Sequence, residues 1–213
     1  MREGWDPPWC PSVLFCRISL THSLRGVAQF GRALALGASG RRFKSFHPDL
    51  INFRMEIVDS FLSEHDCNFI TSNSINNIYF PFYLMTCVSK FNSKDGSFFI
   101  HKFMENNKQN SNFLKVVTPI LNQINSNIIY RVQLNLYPKT FFKHKHGWHT
   151  DKPFEHKGLI YYLNSNNGTT DLKGEAKVKS VRNRALFFNP SKLHRSTTCT
   201  DQEFRANIII NYN

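Results

Sequence analysis

The chain has 213 residues, 41% hydrophobic and 14% aromatic, so it can bury one core of ordinary size and is not a disordered chain. Length excludes a pair of full-size enzymes, and no apolar run reaches the roughly 18 residues of a membrane-spanning helix, since GVAQFGRALALGA is broken by Arg32. The formal charge is +12, enough to attract polyanions if it were concentrated on one face.

The charge is uneven along the chain. No asparagine precedes Asn52; Gly, Ala and Arg dominate before it, and Asn, Lys, Phe and Ile after it. The early segment holds a run of breakers, DPPWCP, and no sustained apolar period. An Arg-rich, acid-poor leader is the composition of a transit peptide. The stretch Gly26 to Leu50 also resembles the peptide made when a transfer-RNA gene is translated: QFGRA fits a D-loop sequence, RFKS a T-loop sequence, and GVA and HPD complementary acceptor arms. The expectation is a doubtful, disordered leader over residues 1–54, an authentic start at Met55 and one domain over 55–213. Residues 55–213 carry nineteen Lys and Arg against twelve Asp and Glu, a balance that fits a solvated face and makes nucleic acid an unlikely partner.

From Met55 the chain reads as a short strand followed by a helix opened by Ser63, with Asp66 at capping-box spacing and Leu62, Cys67, Phe69 and Ile70 as its buried side. Residues 73–111 give little signal. NFLKVVTPILNQI returns to helical spacing, with Pro119 predicting a kink or a late start. After Asn127 come IIYRVQLNLYP, GLIYYLN, GEAKVKSV, RALFFNP and FRANIIINY, rich in β-branched and aromatic residues and separated by turn formers. SNNGTTDL reads as a turn leading into a strand. Strands at this spacing predict an antiparallel sandwich or barrel. The five cysteines (Cys10, Cys16, Cys67, Cys87 and Cys199) are odd in number and include no CxxC pair, which fits a reducing, cytoplasmic compartment.

HKHGWHTDKP, residues 144–153, concentrates three of the nine histidines. In extended chain, His149 and Asp151 project to the same side and Thr150 to the other. Alone, such a pair is most often a polar turn. His194 follows RALFFNP, and two imidazoles with one carboxylate form a facial ligand set suited to non-haem Fe(II), leaving positions open for dioxygen. Arg205 shares a strand face with Asn207, opposite Phe204, Ala206, Ile208 and Ile210. A guanidinium directed into an apolar barrel needs an anion, and a ligand carboxylate can supply one. His144 and His146, among Lys143 and Lys145, are expected in solvent. Arg182 and Arg184 are expected to be solvated at a turn, where they could form a basic rim.

The order His149-x-Asp151, YYLN, RALFF, His194 and Arg205 on the last strand resembles the Fe(II)- and 2-oxoglutarate-dependent dioxygenases, in particular the prolyl-4-hydroxylase-like branch, over residues 55–213. The resemblance implies a mainly β double-stranded β-helix, a jelly-roll or cupin-like barrel with flanking helices. It implies His149, Asp151 and His194 as iron ligands, and Arg205 as the anchor of 2-oxoglutarate's distal carboxylate, assisted by Tyr162. Tyr137 looks like the tyrosine near the cosubstrate's other end, although aromatic residues in strands are usually core. The implied activity hydroxylates an amino-acid side chain, free or in a peptide or protein, with O2 as cosubstrate and release of succinate and CO2. Two other readings compete. A non-catalytic cupin-type metal-binding barrel would have no need of Arg205. Nucleobase-repair dioxygenases carry a second arginine six residues past the cosubstrate arginine, where this chain has Asn211.

Overall fold

A computed structural model describes residues 54–88, 96–124 and 126–213. The expected leader, apart from Arg54, lies outside the described residues.

The elements run in order β1 (Glu56–Val58), α1 (Glu64–Ser72), β2 (Tyr83–Met85), β3 (Phe98–Glu105), β4 (Lys108–Gln109), a 3-10 helix (Asn112–Val117), α2 (Thr118–Ile124), β5 (Ile129–Pro138), β6 (Lys157–Tyr162), β7 (Thr169–Leu172), β8 (Ala176–Lys179), β9 (Arg184–Phe188), β10 (His194–Ser196) and β11 (Phe204–Tyr212). Pairing is antiparallel throughout. The larger sheet has the order β1-β9-β6-β11-β5-β3-β2, with β4 beside β3, and the smaller has the order β10-β7-β8. Bridges from Lys145 to Thr197 and from His149 to His194 add residues 145–149 to the smaller sheet as a fourth, irregular strand. Two antiparallel sheets built this way form the expected jelly roll.

Alternation along the strands sorts side chains into two layers. Val132 and Leu134 on β5, Leu159 and Tyr161 on β6, Ala185 and Phe187 on β9, and Ala206, Ile208 and Ile210 on β11 join one core with Cys67, Ile70, Val117 and Ile120 of the helices. Burying each large apolar side chain stabilises the fold by about 1.5–3 kcal/mol. The opposite face of the same strands sends Ile160, Tyr162, Leu186, Phe188 and Ile209 toward Leu172 and Val178 of the smaller sheet. The helices therefore back the larger sheet, and the space between the sheets is left for a site.

Local chemistry accounts for the ends of these elements. Ser63 caps α1 by accepting from the Asp66 N–H at 3.1 Å, and its hydroxyl donates to the Asp66 carboxylate at 2.8 Å. Pro119 sits in the first turn of α2, where its missing N–H costs nothing, and the residues before it form the 3-10 turn. The helix therefore starts late. Phe69, expected on the buried side of α1, is 39% exposed: Cys67 and Ile70 fill the sheet-facing stripe, and Phe69 falls beside it. β3 was not visible in the sequence, because its FFIHKFME pattern contains a bulge between Lys102 and Met104 that breaks the period of two. Among the described residues, no helix is long and apolar enough to cross a membrane.

Candidate active site

A cavity of about 220 Å³ opens between the sheets, lined from β5, β11, β10 and the segment before β6. His149 and His194 face each other across the backbone bridge, each donating its N–H to the other's carbonyl at 2.9 Å, with ring centroids 4.5 Å apart. Asp151 follows, and its Oδ1 lies 3.9 Å from His149 Nε2 and 3.7 Å from His194 Nε2. One ligand atom from each of the three residues lies within 4.8 Å of the others, a spacing that can hold one metal ion. Thr150, between the pair, is exposed and also lines the cavity, so it does not turn wholly away as the alternation predicts.

The protonation states suit a cation. His149 Nδ1 donates to the Gly147 carbonyl at 3.2 Å and His194 Nδ1 to the Lys192 carbonyl at 3.0 Å, which leaves both Nε2 lone pairs facing the carboxylate. Burial pushes the His194 imidazole below its usual range, further than the neighbouring Asp151 raises it, so the neutral ring is favoured. Burial pushes Asp151 upward, but Arg131, His194, Asn211 and His149 together outweigh it and hold the acid at about 2. Asp151 is ionised at any physiological pH.

Arg205 is completely buried. Its Nε donates to Ser180 Oγ at 2.7 Å and its Nη2 to Thr170 Oγ1 at 2.9 Å. Tyr162 does not line the cavity; its hydroxyl donates to the same Thr170 Oγ1 at 2.9 Å, bracing the residue that holds Arg205. Tyr137 does line the cavity, stacked on Phe98 with ring centroids 5.2 Å apart, and the Arg205 guanidinium lies 5.4 Å from its ring. Burial raises the Tyr137 phenol, so it remains protonated.

Among the described residues, two buried side-chain polar atoms lack a hydrogen-bond partner, His194 Nε2 and Arg205 Nη1. Both residues line the same cavity. Buried donors and acceptors are nearly always paired, so each of these atoms calls for a partner that is not protein. An imidazole lone pair in a His-Asp-His cluster suits a divalent metal, and a guanidinium N–H suits a carboxylate.

The expectations for His146 and for the Arg182 and Arg184 rim change. His146 is buried rather than solvated: its Nδ1 bonds Ser196 Oγ at 2.8 Å, and its ring packs 5.2 Å from Tyr137, because the bridge to Thr197 draws this segment onto the smaller sheet. Arg184 grips Asp59 with two bonds, at 2.6 and 2.9 Å, and Arg182 grips Glu64 and Asn68 of α1. They tie the sheet to the N-terminal elements and form no free basic rim. Asn207 lines the cavity and accepts from Asn135 Nδ2 at 3.4 Å.

Arg131, Gln133 and Asn135, not among the expected site residues, also line the cavity from β5. Their signal was present, since polar residues at 131, 133 and 135 alternate with Val132, Leu134 and Leu136. In this strand the polar face points inward.

No family model and no curated protein matches the sequence. Solved structures do match the fold. A 2OG-Fe(II) oxygenase family oxidoreductase from Burkholderia pseudomallei superposes with a TM-score of 0.56 at 13% identity, covering 75% of this chain and 84% of that one. The chain has the fold of the 2-oxoglutarate and Fe(II) oxygenases. Within that fold, the viral collagen prolyl hydroxylase of Paramecium Bursaria Chlorella virus-1 superposes at 0.50 with 17% identity, over 75% of this chain and 96% of that one. SnoN, a non-haem alpha-ketoglutarate-dependent epimerase of nogalamycin biosynthesis, superposes at 0.54 with 11% identity, over 75% and 77%. The oxygenase fold thus hosts more than one outcome on similar strands, and the reaction must be argued from the site.

Proposed function

We propose that this protein is an Fe(II)- and 2-oxoglutarate-dependent oxygenase that hydroxylates an amino-acid side chain, free or within a polypeptide. The observation that carries the reading is the pair of unpartnered buried atoms, His194 Nε2 and Arg205 Nη1, on one cavity. A cupin-type metal barrel would account for the first atom and leave the second unexplained.

In this reading His149, Asp151 and His194 hold the iron, and Arg205 binds the distal carboxylate of 2-oxoglutarate through its spare N–H. When bound, iron and cosubstrate supply the oxidising chemistry, in which O2 is activated as 2-oxoglutarate is decarboxylated to succinate and CO2 and a C–H bond becomes C–OH. The chain's own residues position and shield. Gly147 and Lys192 carbonyls fix the histidine tautomers. Ser180 and Thr170 fix the guanidinium, with Tyr162 bracing Thr170. Tyr137 offers a protonated phenol beside Arg205, and Phe98, Ile160 and Ile209 exclude water from the cavity wall. The likeness to a viral collagen prolyl hydroxylase favours a peptidyl residue, proline among them.

Purified protein given Fe(II) and 2-oxoglutarate is expected to release succinate, faster with a peptide or amino-acid substrate, and His149→Ala is expected to fall to background. Succinate formation indifferent to that substitution removes the enzyme reading.

A further inference from the structure

The Asp151 carboxylate faces two ways. Oδ1 is turned toward both histidine Nε2 atoms. Oδ2 is turned away and receives Arg131 Nη2 at 2.9 Å and Asn211 Nδ2 at 2.8 Å. Arg131 and Asn211 stand opposite each other in the β5–β11 register, and Arg131 Nε donates to Asn211 Oδ1 at 3.2 Å, which closes a ring of three side chains.

The orientation of the Asn211 amide is determined by its surroundings. His156 is buried, and its Nδ1 donates to the Phe154 carbonyl at 2.8 Å, so its Nε2 is an acceptor. Asn211 Nδ2 lies 2.8 Å from that atom and 2.8 Å from Asp151 Oδ2. Both amide hydrogens are therefore committed, and the amide oxygen necessarily faces Arg131. A flipped amide would set oxygen against a carboxylate and an imidazole lone pair.

We propose that Arg131 and Asn211 are positioning residues that hold Asp151 by Oδ2 so that Oδ1 alone is presented to the metal. The proposal rests on the oxygenase reading. A carboxylate free to turn could engage a metal through both oxygens and occupy a position that the cosubstrate and O2 require. A charge-assisted bond together with an amide bond to one oxygen prevents that.

Co(II) serves as the probe, titrated calorimetrically and followed by its visible absorption, whose band positions and intensities report coordination number. Arg131→Met is expected to bind Co(II) about 10- to 100-fold more weakly than wild type, the range typical of residues that orient metal ligands, and with an altered spectrum. Arg131→Lys, which keeps the charge but loses the fork, is expected to fall between the two. Asn211→Ala leaves Arg131 in place, should show a smaller loss with a spectral change, and decides the matter if Arg131→Met does not fold. Affinity within twofold of wild type and an unchanged spectrum in the folded variants, while His149→Ala loses binding, overturns the clamp and leaves the oxygenase reading standing. Wild-type protein that binds no Co(II) removes both.

Discussion

At the scale of single residues, the site depends on a position with no side chain. A Cβ on Gly168 would lie 2.6 Å from Arg205 Cδ and 2.8 Å from Asn166 Oδ1, so the buried guanidinium is packed against bare backbone. Asn166 Oδ1 accepts the Gly168 N–H at 2.9 Å and cannot yield without losing that bond. Gly168→Ala is expected to displace Arg205 and raise the KM for 2-oxoglutarate about 10- to 100-fold, as overpacking of about 1–3 kcal/mol would. The effect on kcat at saturating cosubstrate should be smaller. Succinate release against 2-oxoglutarate concentration checks it, and an unchanged KM shows that the pocket can relax. Nothing in SNNGTTDL marked this glycine as more than a turn former, because its constraint comes from a residue 37 positions away. His146 misled for a related reason: a histidine that follows a Lys-His-Lys run looks solvated until a distant strand covers it.

At the scale of elements, the turn before β9 anchors the N-terminal end of the domain. Asn183 sits at φ 61°, a left-handed conformation that asparagine tolerates better than most residues. Its side chain accepts from the Leu62 N–H at 2.9 Å and donates to the Leu62 carbonyl at 2.9 Å, and the Tyr161 hydroxyl donates to it at 3.1 Å. Asn183→Ala would orphan two buried backbone groups and strain the turn, so a loss of about 2–4 kcal/mol is expected in urea unfolding. A loss below about 1 kcal/mol would show that water replaces the amide. Elements with an uninterrupted period were legible in advance: β5, β6, β9 and β11 lie close to where their alternation put them. β11 also carries Arg205 and Asn207 on one face and the helix-backed core on the other, as its pattern predicts. β2, β4 and β10 are two or three residues long and β3 is bulged, so none shows an unbroken period.

At the scale of the whole molecule, the triad and Arg205 could be guessed because residue type and chain order narrow the choice: His194 is the last histidine in the sequence. The Arg131 and Asn211 partnership could not, since it joins positions 80 residues apart through the sheet register. A site shared by both sheets couples ligand binding to global stability. At about 100 times its dissociation constant, a ligand that binds only the folded state stabilises it by about 2.7 kcal/mol. For a domain of this size that corresponds to roughly 5–10 °C in Tm. Co(II) with 2-oxoglutarate is expected to shift thermal unfolding of the wild type by that order, a chelator should reverse the shift, and His149→Ala should show little of it. An equal shift in that variant would place the metal elsewhere.

His149 and His194 exchange two peptide hydrogen bonds with each other. Such a pair fixes the Cα separation at about 5.5 Å regardless of what lies between the rings. The gap between the imidazoles is thus spaced by the ladder during folding and does not wait for an ion to draw two loose segments together. A cation arriving at the proposed site would meet a seat already built, so a freshly made chain can complete its architecture before any metal arrives.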